Sequence, residues 1–122
     1  MACRITELVL DCRRPRELAR FWSDVLGYRI VDDSEDVVEI APPEGSPSPV
    51  TLLFQRSDDP KRDKLRLHID VSPTDRDQRD ELARLVGLGA KEIDIGQGEQ
   101  PWHVLADPEG HEFCLLRGRV AP

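Results

Sequence analysis

The sequence is poor in aromatic residues, in cysteine and in long apolar runs, and these shortages exclude several classes of protein. No apolar stretch approaches the roughly 20 residues of a membrane helix, and none resembles a signal peptide, so we expect no membrane association. The cysteines are odd in number and form no C-x-x-C pair; they are Cys3, Cys12 and Cys114. This pattern argues against a disulfide framework and predicts a reducing, cytoplasmic location.

Positive charge is also scarce. The 122 residues include 24 acidic and 17 basic side chains, which gives a formal net charge of −7 at pH 7. A surface of this sign repels a phosphate backbone, so we expect no nucleic-acid partner. The length suits a single domain with a core of its own.

Two stretches of the chain return in the same order about sixty residues later. The tripeptide LAR at 18–20 returns at 82–84, and APPEG at 41–45 returns as ADPEG at 106–110. We therefore predict one domain over 1–122 that contains two repeats, 4–56 and 65–117, joined by a polar linker at 57–64. Two similar units that share a core tend to form a cleft between them, where a small ligand can bind.

The first repeat predicts a strand, a helix and three more strands. Apolar and polar residues alternate in the first strand, and Pro15 suits the first turn of the helix, which Gly27 ends. The predicted strands are 5–11, 28–32, 37–41 and 50–55. The apolar stripe of the helix consists of Leu18, Phe21, Trp22 and Val25.

The second repeat predicts the same order of elements. Thr74 or Asp75 can cap its helix, and Gly87 and Gly89 are expected to stop it. The predicted strands are 65–71, 91–95, 102–106 and 112–116. The predicted apolar stripe of this helix is Leu82, Leu85 and Val86. The fold class is therefore α+β, with two βαβββ repeats.

The doubled unit and several short motifs resemble the vicinal oxygen chelate superfamily, which includes glyoxalase I, extradiol dioxygenases, and bleomycin and fosfomycin resistance proteins. The motifs are LGY at 26–28, LHID at 67–70, GA at 89–90 and WHVLADPEGHEF at 102–113. The last is similar to the ending of small glyoxalase-like proteins, except that His111 stands where asparagine is usual. The resemblance implies a curled mixed sheet around a cleft, helices outside it, and a homodimer.

The resemblance also implies where a metal would bind, because metal-using members hold it on the first and last strands of each repeat. The corresponding first-strand residues are Glu7 and His68, and the last-strand residues are Leu53 and Cys114, where those members carry glutamate. Leu53 cannot bind a metal, and Cys114 is either a thiolate ligand or a small buried apolar residue. Glu112 is the alternative ligand, which would complete a set of Glu7, His68 and Glu112. We expect no cofactor, with a divalent Zn, Ni, Fe or Mn ion as the alternative.

Strand period places nine residues on the faces turned away from the helical stripes, and we expect them to bind a ligand. They are Glu7, Val9, Glu39, Leu53, His68, Asp70, Trp102, Val104 and Cys114. The set mixes apolar walls with a few polar groups, as small-molecule pockets do. Trp102 is either an aromatic platform for the ligand or core filling. Glu7 and His68 are the candidate catalytic residues, and Glu7 is alternatively an ion-pair partner of Arg66.

Two functions follow from these residues. The first is a metal-poor protein that binds a small, partly apolar or aromatic molecule. The alternative is a metal-dependent lyase or isomerase of glyoxalase type, acting on a small oxygenated metabolite. The DPEG stretch at 107–110 has the residues of a turn, and we interpret it as structural.

Overall fold

Two four-stranded mixed sheets, each with one helix, make up the fold. The computed structural model describes residues 2–122. The first unit ends at Pro60 and the second begins at Lys61, inside the predicted linker. The α+β class and the two βαβββ units are confirmed, whereas the curl of the sheets and the cleft stay predictions. In the described part of the chain, neither helix has the length and apolar character needed to cross a membrane.

The first unit follows its predicted pattern closely, because each strand and helix starts and stops within two residues of the expected position. Its elements are β1 (Glu7–Cys12), α1 (Pro15–Leu26), β2 (Arg29–Asp33), β3 (Val37–Ala41) and β4 (Thr51–Arg56). The strand order is β1-β4-β3-β2. The β1–β4 pair is parallel and the other pairs are antiparallel.

Helix α1 covers one face of this sheet through its apolar stripe. Leu18, Phe21, Trp22 and Val25 are all buried, and the helix contacts β2, β3 and β4. Each such side chain contributes roughly 1.5–3 kcal/mol when it leaves water. Trp22 is 1% exposed and meets Phe21 edge to face, with ring centroids 5.5 Å apart, so it belongs to the core as predicted. Gly27 ends the helix with a φ of 67°, a left-handed conformation that glycine adopts without strain.

The second unit repeats the topology of the first. Its elements are β5 (Ile69–Val71), α2 (Gln78–Leu88), β6 (Lys91–Glu92), β7 (His103–Ala106) and β8 (Glu112–Leu115). The strand order β5-β8-β7-β6 places the first strand beside the last, again as a parallel pair. The two remaining pairs are antiparallel.

The strands of the second unit are shorter than predicted. Strand β5 begins at Ile69 rather than at Leu65, because the Leu65 amide donates to the side chain of Glu112 at 3.0 Å instead of to a neighbouring strand. Strand β6 contains two residues rather than the predicted five. Beyond it, the Ile95 amide bonds to the side chain of Gln97, which starts a loop.

The start of α2 and part of its stripe also differ from the prediction. Asp77 caps the helix by accepting the Asp80 amide at 2.8 Å, while Asp75 pairs with Arg76 at 3.1 Å. Thr74 and Asp75 are therefore not the cap.

The predicted stripe of α2 is only partly buried. Leu85 is fully buried and Leu82 is half-buried, but Val86 is 45% exposed. Glu81 is buried instead of Val86, because Arg84 binds its carboxylate at 2.6 Å. Gly87 lies inside the helix, and only Gly89 ends it.

Candidate functional site

One row of predicted site residues crosses the first sheet. Val9 on β1 pairs with Leu53 on β4, and Leu53 pairs with Glu39 on β3. Paired residues on neighbouring strands point to the same face. Val9 is 53% exposed and the other two are half-buried, whereas the alternate residues Leu52 and Phe54 are buried against the helix side. Val9, Leu53 and Glu39 therefore share the face of the first sheet that α1 does not cover.

An equivalent row crosses the second sheet. Asp70 on β5 pairs with Cys114 on β8, which pairs with Val104 on β7. The sequence numbers of Val9 and Asp70 differ by 61, as do those of Leu53 and Cys114. The same offset separates Glu7 from His68, the corresponding first-strand residues named from the sequence.

The two candidate acid–base residues lie at the beginnings of the first strands of their units. Glu7 opens β1, is exposed, and accepts a hydrogen bond from Thr51 Oγ1 at 3.4 Å. His68 precedes β5, and its Nε2 lies 3.4 Å from Lys64 Nζ.

Cys114 is buried next to a carboxylate. Burial raises the pKa of its thiol, and the negative charge of Asp70 and a hydrogen bond to Asp70 raise it further. Lys64 acts in the opposite direction with a smaller effect. The geometry therefore favours a protonated thiol that donates to Asp70, and a protonated thiol is neither a nucleophile nor a good metal ligand.

Glu112 is also engaged within its own unit. Its Oε1 accepts the Leu65 amide at 3.0 Å and its Oε2 lies 2.9 Å from Lys61 Nζ. Burial acts to raise the pKa of this carboxyl, but the Leu65 amide and Lys61 outweigh burial and hold the pKa below its ordinary value. Glu112 is therefore a carboxylate whose two oxygens already have partners.

The remaining metal donors are dispersed within each unit. In the part of the chain that the structure describes, neither unit by itself brings three His, Cys, Asp or Glu side chains into a group suited to a metal ion. Leu53, at the position equivalent to Cys114, supplies no donor atom.

Trp102 lies immediately before β7 and is 36% exposed. It lies in a bend outside the strand, two residues before Val104. The side-chain amide of Gln78, at the start of α2, donates to the carbonyl of Pro101 at 2.8 Å and to that of Leu115 at 3.3 Å. These two bonds fix the backbone that carries the indole ring.

The DPEG stretch is a turn, as predicted. The Gly110 amide bonds to the Asp107 carbonyl at 2.9 Å, and Gly110 has a φ of 92°, which favours glycine. The buried carboxylate of Asp107 accepts the amides of Glu109 and His111 and also contacts His111 Nδ1 at 2.8 Å. The contact of His111 with Asp107 therefore stabilises the turn. His103 lies 3.4 Å from Glu92, on the neighbouring strand β6.

Three residues of the second unit were missed by sequence reasoning. Lys61 and Lys64 lie in the predicted linker, yet they contact Glu112 and His68. Gln78 lies near a helix start where several polar residues follow one another. No periodicity marks these three residues, because each contact joins an irregular segment or a helix end to a group elsewhere in the unit.

A family of known proteins matches most of the chain. The model of the glyoxalase-like domain matches residues 7–116. The chain therefore belongs to the glyoxalase-like domain family, within the vicinal oxygen chelate superfamily. Among curated proteins, no sequence match was found.

Solved structures agree on the fold. The fosfomycin resistance protein FosX from Mesorhizobium loti has a TM-score of 0.71 at 18% identity, over 98% of this chain and 96% of that one. A mutant FosX from Listeria monocytogenes, in complex with Mn(II) and a dihydroxypropylphosphonic acid, has a TM-score of 0.72 at 15% identity, over 98% and 94%. A glyoxalase/bleomycin resistance protein/dioxygenase family enzyme from Burkholderia phytofirmans has a TM-score of 0.66 at 14% identity, over 90% and 94%. At these sequence identities, the similarity to the solved structures shows a shared fold and nothing more.

Proposed function

We propose that this protein binds a small, partly apolar or aromatic molecule on the sheet face that carries Trp102, Val104 and Cys114, and that it does so without a metal. The observation that carries the proposal is the partly exposed indole of Trp102, which lies next to Pro101, whose carbonyl accepts a hydrogen bond from Gln78. An aromatic ring with one face in water offers a stacking surface to a planar ligand.

The polar groups beside this surface would orient the ligand. The Asp70 carboxylate can accept a hydrogen bond and the His68 imidazole can donate one, so a hydroxyl or carbonyl on the ligand finds both kinds of partner. The row of Val9, Leu53 and Glu39 presents a similar mixture in the first unit, and we propose it as a second ligand-contacting surface. Glu7 lies beside that row and keeps its proposed role as an acid–base group.

We propose binding without a metal because of the state of the two expected donor groups, the Cys114 thiol and the Glu112 carboxylate. A cysteine binds a metal as the thiolate, and a carboxylate binds one through a free oxygen. The raised pKa of the Cys114 thiol opposes the first requirement, and the engagement of Glu112 by Lys61 and Leu65 opposes the second. The FosX from L. monocytogenes was solved with Mn(II). The donors available here do not match a metal-dependent lyase or isomerase, so we keep that activity as the less supported alternative.

We also propose a homodimer in the cytoplasm, without a nucleic-acid partner. Strand β2 is an edge strand of the first sheet and, within its unit, pairs only with β3. All its residues are exposed, and Val31 is 48% exposed, so this edge could pair with a second copy of the chain. Light scattering at micromolar concentration should give twice the chain mass. A strict monomer under these conditions would exclude the dimer.

The binding proposal is tested by nuclear magnetic resonance on uniformly ¹⁵N-labelled protein, with phenol and benzoate as the first probes. The expected result is a shift of the Trp102 indole N–H signal and of the amides near 68–70, 104 and 114. Trp22 is an internal control, because its buried indole should not shift. Shifts confined to other parts of the chain would refute the proposed surface.

A further inference from the structure

A cavity of about 580 Å³ in the first unit has a lining that the proposed function does not use. Five arginines contribute to its wall: Arg13, Arg14, Arg16, Arg20 and Arg56. The volume falls within the roughly 300–1,000 Å³ typical of small-molecule sites, but those sites are mostly apolar. A wall of guanidinium groups suits a charged ligand instead.

The fold brings these arginines together from two distant parts of the sequence. Arg13 and Arg14 connect β1 to α1, while Arg16 and Arg20 lie one helical turn apart on α1. Arg56 ends β4, and the parallel register pairs it with Cys12, the last residue of β1. A 2.8 Å bond from the Ser57 amide to the Cys12 carbonyl fixes this end of the strand pair.

Carboxylates at the rim pair with three of the arginines. The five arginines face three acidic lining residues, Glu17, Asp33 and Glu35. Arg16 binds Asp33 at 2.9 Å, and Arg14 lies 3.4 Å from Glu17. Arg56 lies 3.9 Å from Asp36 and 3.8 Å from Asp58, and these longer separations leave its guanidinium able to reorient.

The lining residues themselves carry five positive and three negative charges, in a chain whose formal charge is −7, and Asp36 and Asp58 contact Arg56 from outside the lining. One guanidinium group can donate two parallel hydrogen bonds to two oxygens of the same phosphate, and it can do the same with a carboxylate. We propose that this cavity binds a small soluble molecule that carries two or more phosphate groups. None of the nine residues of the proposed ligand-binding set is among the lining residues of this cavity, so the inference is independent of the proposed function.

The experiment is calorimetric titration of the full chain with inorganic pyrophosphate at constant ionic strength, with citrate as a second polyanion. We expect saturable binding of pyrophosphate that is tighter than that of citrate, because pyrophosphate concentrates its charge on two adjoining groups. Arg20→Gln and Arg56→Gln should each weaken the binding by about fivefold, because each removes a charge-assisted contact at a partly exposed site. Arg79→Gln, on the exposed surface of α2, is the matched control and should leave the affinity unchanged.

A second measurement needs no variant. Pyrophosphate added to ¹⁵N-labelled protein should shift the amides at 13, 14, 16, 17, 33–35 and 56. The proposal is overturned if pyrophosphate does not saturate, if citrate binds equally well, if Arg79→Gln weakens binding as much as the cavity variants do, or if the shifted amides lie elsewhere.

Discussion

The ammonium of Lys61 lies 2.9 Å from Oε2 of Glu112, and the Leu65 amide donates to the other oxygen at 3.0 Å. These two contacts attach the segment before β5 to the last strand of the second unit. Glu112 is 6% exposed, so its charge is compensated by these partners rather than by water. Glu112, the alternative metal ligand expected from the sequence, thus binds the segment before β5 instead.

Removal of the lysine should therefore destabilise the second unit. We expect Lys61→Met to lower the free energy of unfolding by roughly 1–2 kcal/mol, because a buried carboxylate loses one of its two partners. Urea unfolding at pH 7 measures the change. Lys91→Met, on the exposed strand β6, is the matched control. Equal stability of the two variants would show that the contact contributes nothing.

The lowered pKa of Glu112 predicts a dependence of stability on pH. A carboxyl whose pKa is lower in the folded state than in the unfolded state stabilises the fold above its ordinary pKa of 4.5, and this stabilisation is lost as the pH falls through the folded-state value. Glu112→Gln should therefore lose less stability than the unmodified protein between pH 6 and pH 3. Unfolding free energies measured across this range test the prediction, and parallel curves for the two proteins would contradict it.

The environment of Cys114 predicts its reactivity. With the pKa of the thiol raised by burial and by Asp70, Cys114 should react with iodoacetamide far more slowly than the exposed Cys3. Asp70→Asn should accelerate the reaction severalfold, because it removes a negative charge beside the thiol.

Peptide-resolved mass spectrometry separates the three cysteines in this experiment. Asp63→Asn is the control, since Asp63 is exposed and precedes β5. If Asp70→Asn and Asp63→Asn react at the same rate as the unmodified protein, Asp70 does not control the thiol.

The turn between β7 and β8 should depend strongly on Asp107. Asp107→Ala removes the acceptor of one buried and one partly buried amide and also the partner of His111, which should cost about 2–4 kcal/mol. His111→Asn should cost less, because it leaves both amide bonds in place. Chemical unfolding measures both changes, with the exposed Glu99→Gln as a control. A mild effect of Asp107→Ala would contradict this account of the turn.

The success of sequence reasoning followed the strength of local periodicity. Helix α1 was predicted well because its stripe, its proline and its glycine all agree on the same boundaries. The start of α2 was predicted wrongly because several capping residues follow one another from Thr74 to Asp77, and the choice among them depends on local hydrogen bonds.

The same distinction applies to the candidate site. Strand period and the 61-residue offset were sufficient to align Leu53 with Cys114, and the register agrees. The contact of Lys61 with Glu112 joins residues 51 positions apart, and no local sequence pattern predicts it. The shortened β5 has the same origin, since a side chain took the amide that a strand would have used.

Metal-free binding of a small, partly aromatic molecule at Trp102 can be tested through the dissociation constant of benzoate or phenol, whichever binds more tightly. The shift of the Trp102 indole signal gives this constant before and after dialysis against EDTA, and amide shifts give it for Trp102→Ala. Val120→Ala, another exposed apolar position, is the control. We predict the same affinity with and without EDTA, a loss of at least about tenfold in Trp102→Ala, as expected when a stacking aromatic is removed, and no loss in Val120→Ala. Binding that requires an added divalent metal, or that persists in Trp102→Ala, would contradict the account.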